Sequence, residues 1–244
     1  MKIILSPSKK QNTGIKTSDI NNPILFDDLT IKLFSHLKSL SKKDLQGTLK
    51  IKGQLLDKTY SLYQSFNVDN IGIEAIECYQ GVVFEQIHSD IYNHMQSTYL
   101  EKHLVILSAM YGSLMPKTIM CPYRLDMTIK LKGINLYSYW QKSIDDFFDD
   151  EDLIINLASN EFSKMIKRNR NKLINIHFQE EQQDKSLKAI SYNAKKARGI
   201  MANQLIINQI LDVDDIKGYN IDGYIFDEIV SNKTNYNFIK PYSK

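Results

Sequence analysis

"KAISYNAKKARGIMANQLI", Lys188–Ile206, is the stretch on which the fold turns. Its opening predicts a strand over residues 187–192, a two-residue turn, and then a helix from Lys195 to Leu211. On a wheel of about 100° per residue, Ala197, Ile200, Met201, Leu205, Ile206, Ile207, Ile210 and Leu211 cover most of the circumference. Such a helix is largely buried, and its charge is confined to one end, at Lys195, Lys196 and Arg198. Each cation in the first turn of a helix costs roughly 0.3–1 kcal/mol, because that end carries about half a positive charge. Free N–H groups beside three cations describe an oxyanion or phosphate site. The competing reading is a set of cations that are solvated or paired with distant carboxylates. A nucleotide cradle of the P-loop or dinucleotide type is not expected, since no Gly-rich loop precedes the helix.

The alternation of strand and helix extends outward from this unit. Lys2–Leu5, His103–Ser108, Asp152–Leu157 and Leu173–Phe178 read as strands, with a closing stretch near Gly223–Phe226. Residues 27–66 read as helical, through Leu29, Leu33, Leu37 and Leu40 and then Leu45, Leu49, Leu56, Tyr60 and Tyr63, with Ile51–Gly53 as a joint. Ile87–Leu100 and Glu161–Ile166 also read as helices. The expected fold is α/β in the mixed α+β sense: one compact unit over residues 1–244, with a mixed sheet and surrounding helices.

With 43% hydrophobic residues in 244, the chain can bury a substantial core. Asp145–Asp152 holds six acids and Lys164–Lys172 five bases; setting those acids aside takes the remainder from +3 to +9. The two runs are either solvated stretches of opposite sign or part of a local cationic face. Two cysteines, Cys78 and Cys121, exclude a disulfide framework and read as small apolar core residues in a reducing compartment. The opening MKIILSPSKK has an apolar run of three, against about 7–15 for a signal peptide and about 20 for a membrane span. A soluble, cytoplasmic protein without a membrane partner is expected.

Three further groups carry chemistry. Lys9 and Lys10 follow the first strand, where ligands of α/β proteins gather beyond strand carboxyl ends. Tyr123-Arg124-Leu125-Asp126 places a guanidinium, suited to bidentate phosphate contact, beside a carboxylate with which it could equally pair. Tyr111, Tyr137, Tyr139 and Trp140 could stack on bases, although aromatics at such spacing are more often core. Asp90 and His94 are four apart, but no Cys/His cluster has zinc spacing, so neither metal nor cofactor is expected. There is no G-x-S-x-G elbow, and no catalytic residue is assigned.

Six blocks, "ILSPSK", "LSAMYGSLMPKTIMCPYRLDMTIKL", "LYSYW", "IINLASNEFSK", "SYNAKKARGIM" and "GYNIDGYIFDE", occur in the order and spacing of the YaaA family of peroxide-stress proteins. The resemblance runs from Lys2 to about Glu228. It implies a cytoplasmic bacterial protein that resists hydrogen peroxide and limits damage from intracellular iron. It also implies DNA binding through a helix-hairpin-helix element and a positively charged cleft, with no established reaction and no obligate protein partner. The hairpin would lie in Asp44–Phe66, with Lys50, Lys52 and Gly53 near its turn. The cleft would take Lys9, Arg124, Lys195, Lys196 and Arg198, with Lys117 substituting for an arginine that Met115 replaces. Ala109, Thr128 and Asn193 also depart from the family pattern. The expectation is therefore phosphate contact with duplex or distorted DNA, without sequence specificity, in the response to peroxide. The alternative is an enzyme on a nucleotide, base or other small anion in the same cleft, with Tyr123 or Asp126 moving a proton or serving as an ion-pair partner.

Overall fold

Ile3, Ile4 and Leu5 are fully buried because the strand they form, Lys2–Leu5, runs through the middle of a parallel sheet. Strands covered on both faces read as continuous apolar runs rather than alternating ones. The computed structural model describes residues 1–14, 23–66 and 72–242. Among them the large sheet has nine strands, in the order Asn220–Ile221, Tyr224–Phe226, Asn235–Lys240, Leu173–Glu181, Ile154–Asn156, Lys2–Leu5, Leu104–Ser108 and Gly112–Leu114, with Leu187–Lys188 paired separately to Leu173–Glu181. The five from Asn235–Lys240 to Leu104–Ser108 are parallel to one another, and Ile3 lies between Leu104 on one side and Ile155 on the other. The outer pairings are antiparallel. The mixed α/β fold is as expected.

The chain leaves Lys2–Leu5, adds Leu104–Ser108 on one side, then crosses to add Ile154–Asn156 on the other. Such a reversal splays the loops that follow the two flanking strands and opens a crevice beyond their carboxyl ends. Leu157 N–H donates to Ile4 O at 3.1 Å, which ties those loops together at the base of the crevice.

The 27–66 region is three helices, Asp27–Ser39, Lys42–Leu49 and Gln54–Ser65. They bury Leu33, Phe34, Leu37, Leu45, Leu49, Leu56 and Tyr63, with Phe34 stacked on Phe66 at 3.8 Å between centroids. The last two helices are joined across residues 50–53, where Lys50 (φ 54°) and Gly53 (φ 59°) adopt left-handed conformations. Lys50, Lys52 and Gly53 are exposed at that joint.

Four local expectations need correcting. Ile87–Leu100 is not one helix: 3-10 turns at Phe84–Gln86 and Ser89–Ile91 come first, and the helix is His94–His103. Asn93 and Gln96 form a reciprocal capping box there, which outweighs the upstream apolar pattern. Asp90 and His94 therefore share no helix face. Leu136–Phe147, an unexpected helix, is capped by Asn135 and buries Trp140, whose Nε1–H donates to Ala109 O at 2.9 Å. Asn235–Lys240 is an unexpected strand in six-residue parallel register with Asn175–Glu180; its alternating Tyr236 and Phe238 were masked by asparagines.

The fourth concerns the opening stretch. The strand there is only Leu187–Lys188, and the helix begins at Ser191 and runs to Ile207. Ala194 N–H already donates to Ile190 O at 2.8 Å. Lys195, Lys196 and Arg198 thus lie beyond the first turn, where the terminal dipole has faded. Their placement has to be explained by what their side chains meet. The helix buries Ala194, Ala197, Met201, Ala202, Leu205 and Ile206 as expected, but it ends four residues before Leu211, and Ile207 and Leu211, expected on its apolar surface, are exposed.

The two charge runs meet, and Arg168 is matched there. Asp145, buried, accepts the N–H groups of Lys167 and Arg168, both at 3.0 Å. Arg168 pairs with Asp146 at 2.8 Å and also with Asp149, and Lys172 Nζ donates to Asp149 O at 2.7 Å.

Candidate functional site

The crevice between the loops after Lys2–Leu5 and Ile154–Asn156 is a cleft of about 440 Å³. Residues 6–11 form one wall and Leu157, Ser159, Glu161 and Phe162 another. Residues 81–84 and 123–126 close the sides, and Lys195 and Arg198 reach in from the long helix. The loops are held by Ser6 and Ser159: Ser159 N–H donates to Ser6 Oγ at 2.8 Å, and Ser6 Oγ–H to Ser159 Oγ at 3.1 Å. Gln11 bridges two walls, donating to Ser8 O at 3.2 Å and accepting from Tyr123 N–H at 2.8 Å. The long helix approaches residues 81–86 closely because position 199 is glycine; a Cβ there would lie 2.2 Å from Val83 O.

Five of the expected cationic positions, Lys9, Lys10, Arg124, Lys195 and Arg198, line this cleft together with the carboxylates Asp126 and Glu161. They are not equivalent. Lys9 pairs with Asp126 at 2.8 Å, which makes Asp126 the partner of Lys9 rather than of Arg124. Arg124 is held through its backbone, whose carbonyl accepts from Tyr63 Oη–H at 2.8 Å. Arg198 is the most constrained: its Nε is buried without a hydrogen-bond partner, and burial alone pulls its pKa down. Among the described residues no carboxylate pairs with it. A desolvated charge without compensation is costly to the free protein, so an anion arriving at Arg198 is favoured by more than simple attraction.

Other expected residues lie elsewhere. Lys196, two positions from Arg198, is turned to Asp222 at 3.0 Å and does not line the cleft. Lys117 pairs with Glu101, also outside it, as are Lys50, Lys52 and Gly53. Tyr123 does line the cleft, but its hydroxyl lies 2.7 Å from Ser108 Oγ and 2.9 Å from Tyr79 Oη. Burial drives its pKa far above the ordinary phenol value, so it stays protonated and acts as a hydrogen-bonding group. Tyr111 and Trp140 are fully buried in the core, and the hydroxyls of Tyr137 and Tyr139 donate to Glu161 O at 2.9 Å and Leu29 O at 2.7 Å. Cys78 is buried in the core, and burial pushes its thiol up to about 12.

Residues 1–230 match the family described as peroxide stress protein YaaA. A UPF0246 protein of Fusobacterium nucleatum is 34% identical over 254 residues, spanning all of both chains. One from Rickettsia felis is 36% identical over 251 residues, covering 98% of this chain and all of the relative. One from Legionella pneumophila is 32% identical over 257 residues, covering 98% and 99%. The chain belongs to the YaaA family. Several of the blocks that carry that likeness meet at the cleft: ILSPSK and IINLASNEFSK supply its two serine-tied walls, and SYNAKKARGIM supplies Lys195 and Arg198.

Three features of this YaaA-family cleft lie outside the expected set. Glu161 presents a buried Oε1 with no partner. Ser6 and Ser159 depend on two loops distant in sequence, and only the topology brings them together. The third is the apolar side formed by Val82, Val83 and Phe84; Gly81 (φ 122°), whose Cβ would lie 2.9 Å from Ser8 Oγ, is the local signal for a close approach. Among the described residues, no helix is long and apolar enough to cross a membrane, and no group of three His, Cys, Asp or Glu is gathered as for a metal.

Proposed function

We propose that this protein binds nucleic acid in the peroxide response by holding phosphate at Arg198, with Lys195, Arg124 and Lys10 neutralising neighbouring phosphates and without reading sequence. The observation that carries this reading is Arg198, partly buried, whose Nε is buried without a partner at the cleft and which pairs with no carboxylate among the described residues. Family membership supports the connection to peroxide. Lys9 and Lys196 drop out of the contact set because each already has a carboxylate. At about 440 Å³ the cleft has the size of sites that enclose a small molecule, which suits a single nucleotide of an unpaired strand. Val83, Phe84 and Phe162 offer apolar walls for a base.

Fluorescence-anisotropy titration of labelled single-stranded, bulged and duplex DNA across a salt series tests this. Four phosphate contacts on a single strand give a log–log slope of about −2.8. Binding that is independent of salt, or unchanged in Arg198→Met, sinks the reading. The alternative, an enzyme acting on a nucleotide or other small anion, is favoured by one observation: the buried, unpartnered Glu161 Oε1 in the same cleft, a proton acceptor close to the cations. Product analysis after incubation with nucleotides and oligonucleotides separates the two. Turnover that Glu161→Gln abolishes while binding persists decides for catalysis.

A further inference from the structure

A second cleft of about 450 Å³ lies on the other side of Arg198, and Arg198 and Ser159 line both. Its floor is a row of amides. Asn156, Asn175 and Asn235 stand in register on three adjacent parallel strands. Asn156 Nδ2 donates to Asn175 Oδ1 at 2.7 Å, and Asn175 Nδ2 to Asn235 Oδ1 at 3.3 Å. His177, two residues along the same face, has Nε2 at 3.1 Å from Asn235 Oδ1. The intervening Ile174, Ile176 and Phe178 are buried on the opposite face.

Packing alone does not explain this row. Interior strands of a parallel sheet are covered on both faces and apolar on both. Here one face of an interior strand is polar and lines a cleft. The N–H groups of Asn175 and Asn235 are taken by Thr234 O, Asn235 Oδ1, Asn232 Oδ1 and Thr234 Oγ1, so the ladder fixes the remaining acceptor capacity of the amide oxygens, beside His177, before any ligand arrives. Amides held in this way suit the hydrogen-bonding edge of a base. Arg170 adds a further charge at the rim.

We infer that the amide-floored cleft seats the nucleoside next to the phosphate held at Arg198, so that the ligand is a single-stranded dinucleotide step spanning both clefts. The inference rests on the phosphate reading above and adds a second, chemically distinct subsite to it. The phosphodiester sits where the clefts join, one nucleoside lies between the apolar walls of the first, and the other meets Asn175 and His177 in the second.

Calorimetric titration with deoxyadenosine monophosphate and with the dinucleotide of deoxyadenosine bearing a 5′ phosphate tests it. The dinucleotide is expected to bind about tenfold more tightly, the discrimination that one well-placed set of base contacts supplies. His177→Ala and Arg170→Ala, both at exposed positions, are expected to remove most of that advantage while leaving mononucleotide affinity within about twofold. Equal affinity for the two probes, with His177→Ala silent, overturns the second subsite and leaves the phosphate site standing. Failure of both probes and of single-stranded DNA to bind defeats the phosphate reading, and this inference with it.

Discussion

Arg198 and Arg168 are the same residue in opposite circumstances. Arg168 is exposed and pairs with two carboxylates, Asp146 and Asp149, so its charge is already matched and adds little that a ligand could use. Arg198 is partly buried, has an unpartnered Nε, and stands where two clefts meet. A count of basic residues treats them alike, and Lys164–Lys172 holds more cations than the long helix does. What distinguishes them is compensation. Arg168 of the basic run is matched by Asp146 and Asp149 of the acidic run beside it, while Arg198, Lys195, Arg124 and Lys10 at the cleft have no carboxylate partner among the described residues.

The sharpest way to break that contrast is to exchange the effects of the two arginines. Arg198→Met is expected to weaken nucleotide binding by about thirtyfold or more, as truncation of a buried charge contact costs roughly 2–5 kcal/mol. Arg168→Ala is expected to leave binding unchanged in the same titration. Gly199→Ala comes next: the added Cβ would lie 2.2 Å from Val83 O, so the 81–86 wall must shift. Overpacking of this kind lowers stability by about 1–3 kcal/mol, read by denaturant unfolding, and it should weaken binding as well. Tyr123→Phe removes the hydroxyl between Ser108 and Tyr79 and is expected to cost about 1 kcal/mol in the same assay, without altering any pH dependence of binding near neutrality.

Smaller effects refine the comparison. Lys195→Ala should reduce the salt slope of single-strand binding by about 0.7, whereas Lys196→Ala, removing a cation already paired with Asp222, should leave it unchanged. On the other side, Lys142 and then Arg168 hold Asp146 below the usual carboxylate value, and Asn169 and then Arg168 do so for Asp149. A depressed folded value means that the stabilisation is complete above the unfolded pKa of about 4 and is lost as pH falls through the lower folded value. The stability difference between wild type and Arg168→Ala should therefore be constant near neutrality and vanish in strong acid, as pH-dependent thermal unfolding would reveal.

The parts of this molecule legible in the sequence are those set by local pattern. The buried strand at Ile3–Leu5, the helical 27–66 region and the buried long helix each follow from apolar spacing. The boundary at Ser191 is not legible because Ala189–Tyr192 resembles a strand end, and a later helix start assigns the cations a dipole role that they do not have. Lys195, Arg198, Arg124, Lys9 and Lys10 were found as residue types that suit anions. Their inequality was not, because it depends on carboxylates far away in the chain, such as Asp222 for Lys196. The alternation of Ile174, Asn175, Ile176, His177 and Phe178 was present in the sequence. It acquires meaning only when Asn156 and Asn235 arrive beside it across the sheet.

The most direct test of the central claim is the thermal unfolding of wild type and Arg198→Met, each alone and with a saturating single-stranded oligonucleotide. An uncompensated guanidinium destabilises the free protein and is relieved by an anion. The variant alone should therefore unfold at a temperature no lower than wild type and gain much less from the oligonucleotide, while wild type gains several degrees. If the variant alone unfolds well below wild type, or gains as much from the oligonucleotide, then Arg198 is a structural residue and the anion site lies elsewhere.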